Sequence, residues 1–263
     1  MKKFIRVAAL FLIAIMLLPA SACSQKAEVT GYVTVQSLGK ANFSMAFRKD
    51  DRLCGEVSAA MRVLAAEGKL AQLSHQWFGE DLIALEGDSG ALAVVGEIFP
   101  RTLIVGYDAV GEPMCWTDKE SVSGFDADMI RAVCQTLGWE VKFIAIDTAS
   151  AEVELAAGNV DCVVGSFGLS GDKVSFSPEY LKNEAVLVAR ADSGITKAKK
   201  LKNKTLGVPR DGAVEAALQG SELAGLPANT ASYISAHSCF AALDSGLCDA
   251  VLVSSTAAKY FMK

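Results

Sequence analysis

Two histidines and seven cysteines are the side chains of this sequence most open to reactive chemistry, and their spacing argues against both catalysis and a metal. His75 and His237 belong to no Ser-His-Asp arrangement, and no paired carboxylates or phosphate-binding glycine loop stand out. The chain reads as no enzyme. Cys23, Cys54, Cys115, Cys134, Cys162, Cys239 and Cys248 lack the short repeated spacings of a zinc site, so no metal or other cofactor is expected. What remains for thiols is disulfide chemistry, with buried free thiols as the alternative, above all for Cys162 inside an apolar strand.

The elements that must position any site alternate between short apolar strands and helical stretches, the pattern of an α/β protein. Thr102 to Gly106 reads as a strand. A helix follows from Phe125, with Met129, Val133 and Leu137 on the same face and Gly138 ending it. Val141 to Ile146, a helix over 150–157 and the strand Cys162 to Val164 complete a second unit. Tyr32 to Gln36 and Ser44 to Arg48 read as strands ahead of a helical stripe of Val57, Met61 and Leu64. Gly68 interrupts before the stripe resumes at Leu70, Leu73 and Trp77, a run best explained by core packing. Leu155-x-x-Gly158-x-x-Asp161 is echoed by Leu243-x-x-Gly246-x-x-Asp249, which suggests two lobes built from related units.

Residues 1–22 read as processing sequence. Lys2, Lys3 and Arg6 precede the uncharged apolar stretch Val7 to Leu18, which is short for a membrane span and suits a signal peptide. Ala20-Ser21-Ala22-Cys23 resembles a lipoprotein cleavage box, so Cys23 is the expected lipidation site and the protein an extracytoplasmic one anchored to the cell membrane by lipid. Lipidation also leaves an even number of cysteines. Removing Lys2, Lys3 and Arg6 takes 25 basic residues to 22 against 30 acidic ones, a net charge of −8. Such a surface gives no electrostatic case for nucleic acid.

Trp77-Phe78-Gly79 and Gly124-Phe125-Asp126-Ala127-Asp128 together resemble bacterial extracellular solute-binding proteins of family 3, the polar-amino-acid importer type. Gly158 to Asp161, Phe176-Ser177 and Leu201 to Val208 extend the resemblance. In that family the Trp-Phe-Gly helix closes the chain, whereas here it comes first, so the chain resembles a circular permutant. The implied fold is a two-lobed α/β clamp of the type II periplasmic-binding-protein class. The resemblance divides the chain into a larger lobe from 45–81 plus 100–190, a smaller lobe from 24–44 plus 191–263, and a permutation linker over 82–99. Fully extended, that linker spans up to about 60 Å, enough for the join. It permits a monomer, the expected state, or a domain-swapped dimer. Pairing within lobes would join Cys239 to Cys248 and leave Cys54, Cys115, Cys134 and Cys162 to pair among themselves.

The same resemblance implies a site between the lobes. Asp108 matches a cleft-facing position, Met114 replaces a phenylalanine, and Trp116 offers an aromatic wall as an alternative to a core role. Ser166, Phe167 and Gly168 would present backbone and hydroxyl groups. Ser170 and Lys173 stand where the family has its carboxylate-binding arginine, and lysine lacks that fork of donors. Arg210 is a substitute from the opposite lobe, Asp211 either a contact or a helix cap, and Ser254 replaces an aspartate. The expected function is capture of a small polar solute, an amino acid or derivative, for an ABC importer permease. The alternative is an extracytoplasmic sensing or protein-interaction module that has lost the standard amino-acid site.

Overall fold

The computed structural model describes residues 31–165, 168, 169 and 171–263. Residues 1–22, Cys23, Ser166, Phe167 and Ser170 lie outside them. In chain order the elements begin with β1 (Tyr32–Lys40), β2 (Ala46–Arg48), α1 (Arg52–Ala66) and α2 (Lys69–Phe78). They continue with β3 (Thr102–Tyr107), the short strands β4 (Val110–Gly111), β5 (Cys115–Asp118) and β6 (Ser121–Ser123), and α3 (Phe125–Leu137). Then come β7 (Glu140–Ala145), α4 (Ala151–Ala157), β8 (Cys162–Val164), β9 (Val174–Phe176) and β10 (Glu184–Arg190). The chain closes with β11 (Thr205–Pro209), α5 (Gly212–Gln219), β12 (Asn229–Tyr233), α6 (Ala236–Asp244), β13 (Ala250–Ser254) and α7 (Ser255–Phe261).

Two five-stranded sheets organise two lobes. Lobe 1 has the order β7-β3-β8-β2-β9, with β3 parallel to β7 and β8, and β2 antiparallel to both β8 and β9. The central strands are apolar and buried on both faces, as parallel strands covered by helices must be. Asp51 caps α1 by accepting the Leu53 N–H, and Leu53, Val57, Met61 and Leu64 form its buried stripe. On α3, Phe125, Met129, Val133 and Leu137 are all buried, and Gly138 stops the helix with φ 68°. Gly124, at φ 126°, sits against the Met114 carbonyl where no side chain fits. Strands β4, β5 and β6 form a small antiparallel sheet in front of α3.

Lobe 2 has the order β1-β10-β13-β11-β12. β10 runs antiparallel to β1 and β13, while β11 runs parallel to β13 and β12. Helices α5, α6 and α7 cover this sheet. The boundary therefore differs from the expected one after residue 190: β10 is an inner strand of lobe 2, buried over Ala185 to Ala189, and the chain changes lobe before Glu184.

Two antiparallel segments, 41–45 and 177–183, make the crossings. Ala41 N–H donates to the Asn183 carbonyl (2.9 Å), Phe43 N–H to Leu181 (3.1 Å), Tyr180 N–H to Phe43 (3.0 Å) and Ser177 N–H to Met45 (2.9 Å). The segment 82–99 is packed rather than loose. Leu82 and Leu85 are buried, Ile83 bridges to Leu181, and the turn Ala91–Val94 lies on Ala59 and Val63 of α1.

The six described cysteines are free thiols, so the expected disulfides are not formed here. Five of them are buried and pack as small apolar side chains, with Cys239 and Cys248 in one core cluster of lobe 2. Among the described residues no helix is long and apolar enough to cross a membrane, and no group of His, Cys, Asp and Glu could hold a metal ion.

Candidate functional site

The internal echo supplies the local logic that aims both lobes at one place. Gly158 and Gly246 end α4 and α6 with φ 77° and 72°, and an aspartate then leads into the next strand. Asp161 accepts the Ile104 N–H (2.9 Å) and pairs with Arg48 (3.3 Å) and Arg101 (3.1 Å). Asp249 accepts the Thr205 N–H (2.9 Å) and pairs with Lys204 (2.8 Å). In each lobe this clamp fixes the register of neighbouring parallel strands, whose carboxyl ends then face the space between the lobes.

That space is a cleft partly open to solvent, with walls from both lobes and Phe43 from the crossing segment. Lobe 1 contributes Asp108 and the turn through Met114, with Thr148, Val164 and Gly165. Lobe 2 contributes Arg210 and Asp211 after β11, Ile234 to Ala236 at the start of α6, and Ser254 and Ala257 at the start of α7. These are the loops and helix starts that follow β3, β7, β8, β11, β12 and β13.

Asp108 accepts the Val110 N–H at 3.0 Å, which holds its carboxylate at the end of β3. Burial pushes its pKa above the ordinary carboxylate range. The Val110 hydrogen bond acts the other way, and Asp147 adds to the rise. Asp211 caps α5 by accepting the Ala213 (3.0 Å) and Val214 (3.1 Å) N–H groups. Ser254 caps α7 through the Ala257 N–H at 3.2 Å, and Ser235 forms a reciprocal cap with Ser238 on α6. Arg210 is exposed, and among the described residues its guanidinium has no hydrogen bond or ion pair.

The lobes also touch each other. Glu112 of lobe 1 lies 3.2 Å from His237 Nδ1 of α6, and the Tyr260 hydroxyl of α7 engages the same carboxylate. Behind Glu112, Trp116 meets Trp77 edge-on with centroids 5.6 Å apart, and Tyr260 packs on both at 6.3 and 6.4 Å. Lys263 donates to the Trp77 carbonyl at 2.9 Å, and Lys259 pairs with Glu80.

Of the residues singled out in the sequence, Asp108, Met114, Arg210, Asp211 and Ser254 come together around the cleft. Gly168 lines an adjoining pocket with Phe43 and Ala213. Trp116 stands in the interlobe aromatic cluster instead of the cleft wall. Lys173 is outside the cleft, paired with Glu152 at 2.8 Å beside Arg48 and Leu155. Ser166, Phe167 and Ser170 are outside the described residues. Phe43, Val110, Ile234 and Ser235 line the cleft without having been singled out. Only Ser235 carried a local signal, a capping serine three residues before Ser238.

Two α/β lobes joined by paired crossings around a shared cleft define a type II binding-protein clamp. The family model for bacterial extracellular solute-binding proteins, family 3, matches residues 103–211. A solved ABC uptake transporter substrate binding protein from Streptococcus pneumoniae, with bound histidine, is 31% identical with a TM-score of 0.56, over 61% of this chain and 68% of that one. The chain belongs to the bacterial extracellular solute-binding proteins of family 3. It is 30% identical over 111 residues to the arginine-binding extracellular protein ArtP of Bacillus subtilis (strain 168), covering 41% of this chain and 44% of the relative. It is 31% identical over 108 residues to the L-cystine-binding protein TcyA of the same organism, covering 39% and 40%. The chain thus spans under half the length of these two curated relatives.

Proposed function

We propose that this protein is a lipid-anchored extracytoplasmic receptor that closes two lobes on a small polar solute and passes it to the permease of an ABC importer. The observation that carries the reading is the cleft itself, walled by both lobes at their strand ends and spanned by two narrow crossings. Relatives named for arginine and cystine binding, and one solved with histidine, support an amino acid or derivative as the solute. Asp108, Met114, Arg210, Asp211 and Ser254 are its contacts in this reading, joined by Phe43 and Ser235. Cys23 carries the lipid.

The order of elements supports a circular permutation. The front segment supplies β1 to one sheet and β2, α1 and α2 to the other lobe, and 82–99 joins α2 to β3 along α1. Both lobes have complete sheets within one chain, which favours a monomer over a swapped dimer.

The decisive experiment is a thermal-shift screen of purified protein, unfolded and refolded to strip carried solute, against amino acids, amines, small carboxylates and short peptides. A ligand at a hundred times its Kd adds about 2.7 kcal/mol. A specific shift supports the receptor reading. A flat panel from folded protein favours the second reading, a sensing or interaction module. One specific observation speaks for that alternative: Glu112 already ties lobe 1 to His237 and Tyr260 of lobe 2.

A further inference from the structure

A second hollow, larger than the cleft and sharing no lining residue with it, opens where α7 and the end of β1 meet the crossings. One wall is the strip 82–84, which a crossing segment holds in place. Lys182 N–H donates to the Leu82 carbonyl (2.8 Å) and Ala84 N–H to the Tyr180 carbonyl (3.0 Å). Leu82 belongs to the core of lobe 1, whereas Val186, Ala258 and Met262 of the remaining wall pack with the core of lobe 2. An occupant of the hollow would touch both lobes at once.

The charges of this hollow run against those of the chain. The whole chain carries a net charge of −5, yet Lys40, Lys182 and Lys259 line the hollow against one carboxylate, Glu184. Glu184 accepts the Ser37 hydroxyl at 2.7 Å, and Lys259 pairs with Glu80. The ammonium groups of Lys40 and Lys182 have no hydrogen bond or ion pair among the described residues. Buried Leu82, Val186 and Ala258 give the hollow an apolar base, while exposed Lys40 and Lys182 leave free positive charge on its lining.

An ammonium is a compact point charge that takes carboxylate and phosphate oxygens alike. A bare inorganic anion would leave the apolar base uncovered, and an uncharged apolar molecule would leave the two lysines without a counter-ion. An amphiphile with an anionic head satisfies both. We infer that this hollow is a second binding site, separate from the solute cleft, for an apolar chain ending in a carboxylate or phosphate. The head sits on Lys40 and Lys182, and the chain lies on Leu82, Val186, Ala258 and Met262.

Methyl NMR of the purified protein labelled at its methionines tests this, because Met262 lines the hollow and Met114 the cleft. Met262→Leu assigns the signal. Octanoate should shift the Met262 methyl saturably and leave Met114 in place. Octanol and acetate, each lacking one half of the amphiphile, should bind at least about tenfold more weakly. Replacing both lysines, Lys40→Gln with Lys182→Gln, should weaken octanoate by about tenfold or more. Ala84→Trp, at an exposed position of the wall, should fill the hollow and abolish binding with the melting temperature unchanged. Dihexanoylphosphatidylglycerol separates the two sources of such a chain: a saturable Met262 shift extends the site to anionic membrane lipid, and no shift restricts it to free amphiphiles. Octanoate that moves Met114 instead of Met262, binds without saturation or is indifferent to the lysine pair overturns the inference. None of these outcomes touches the solute-receptor reading, which rests on the cleft.

Discussion

The Tyr180 hydroxyl donates to Asp126 Oδ1 at 2.8 Å, and both residues are completely buried. Tyr180 lies on the second crossing segment and Asp126 in the first turn of α3, so one hydrogen bond fastens the hinge to the core of lobe 1. The other carboxyl oxygen of Asp126 has no hydrogen-bond partner among the described residues. Burial pushes the Asp126 pKa up to about 7, although the Tyr180 hydrogen bond pulls in the opposite direction.

That shift sets a pH dependence with a definite sign. An aspartate in the unfolded chain titrates near ~3.9. Between roughly pH 4 and 7 the folded protein keeps a proton that the unfolded chain has released, so stability falls as pH rises through this window, by up to about 1.4 kcal/mol per unit. The penalty is absent below the window and fully present above it. Asp126→Asn keeps an acceptor for Tyr180 and should flatten this part of the profile. Urea unfolding across the range measures it, and parallel profiles for the two proteins would refute the assignment.

The paired aspartates of the two lobes should differ in weight. The Asp161 side chain is 10% exposed and holds two arginines and a backbone N–H, while Asp249 is 36% exposed and holds one lysine and a backbone N–H. Asp161→Ala takes the counter-ion from Arg101, leaves Arg48 with Asp51 at 2.8 Å, frees the Ile104 N–H and should cost about 2–3 kcal/mol. Asp249→Ala should cost about 1 kcal/mol. Equal losses in denaturant titrations would show that the two clamps are not graded by burial.

Gly87 lies where a Cβ would run into the backbone of Ala65 and Ala66 at the end of α1. Gly87→Ala must push the 82–99 segment off that helix and should destabilise the protein by about 1–3 kcal/mol. Hydrogen exchange of the Asp88 amide, which donates to the Arg62 carbonyl at 3.0 Å, should accelerate in the variant. Unchanged protection there would mean that the segment is not held by this contact.

Glu112 is the interlobe contact easiest to remove without disturbing either core. Glu112→Gln should weaken the link to His237 while changing folding stability by less than about 0.5 kcal/mol. The expected result is a larger radius of gyration in X-ray scattering of the ligand-free protein. A radius identical to that of the parent would show that the crossings and the α7 contacts with Trp77, Trp116 and Glu80 set the lobe separation without Glu112.

The parts of this fold that were legible in the sequence are those governed by local rules. The α3 stripe from Phe125 to Leu137 follows helical periodicity, and Gly138, Gly158 and Gly246 sit where a left-handed stop is needed. The lobe assignment of β10 was not legible, because an apolar strand reads the same whichever sheet takes it in. Lys173 could not be placed either, since its position depends on Glu152, a residue of a different element. Trp116 illustrates the same limit: its neighbours Trp77 and Tyr260 come from opposite ends of the chain and meet only through the packing of both lobes. Phe43 enters the cleft wall because a crossing segment happens to pass there, which no spacing rule anticipates.

β1 and α7 both belong to lobe 2, whereas residues 46–176 of lobe 1 leave and return through the adjacent crossings. A pull applied between the two ends of the described chain would therefore load β1, β10, β13 and α7, and would reach lobe 1 through Lys263 on Trp77 and Lys259 on Glu80. Tension on those ends would thus act on the same seam that holds the two lobes together, so a tether at the α7 end would couple to the separation of the lobes.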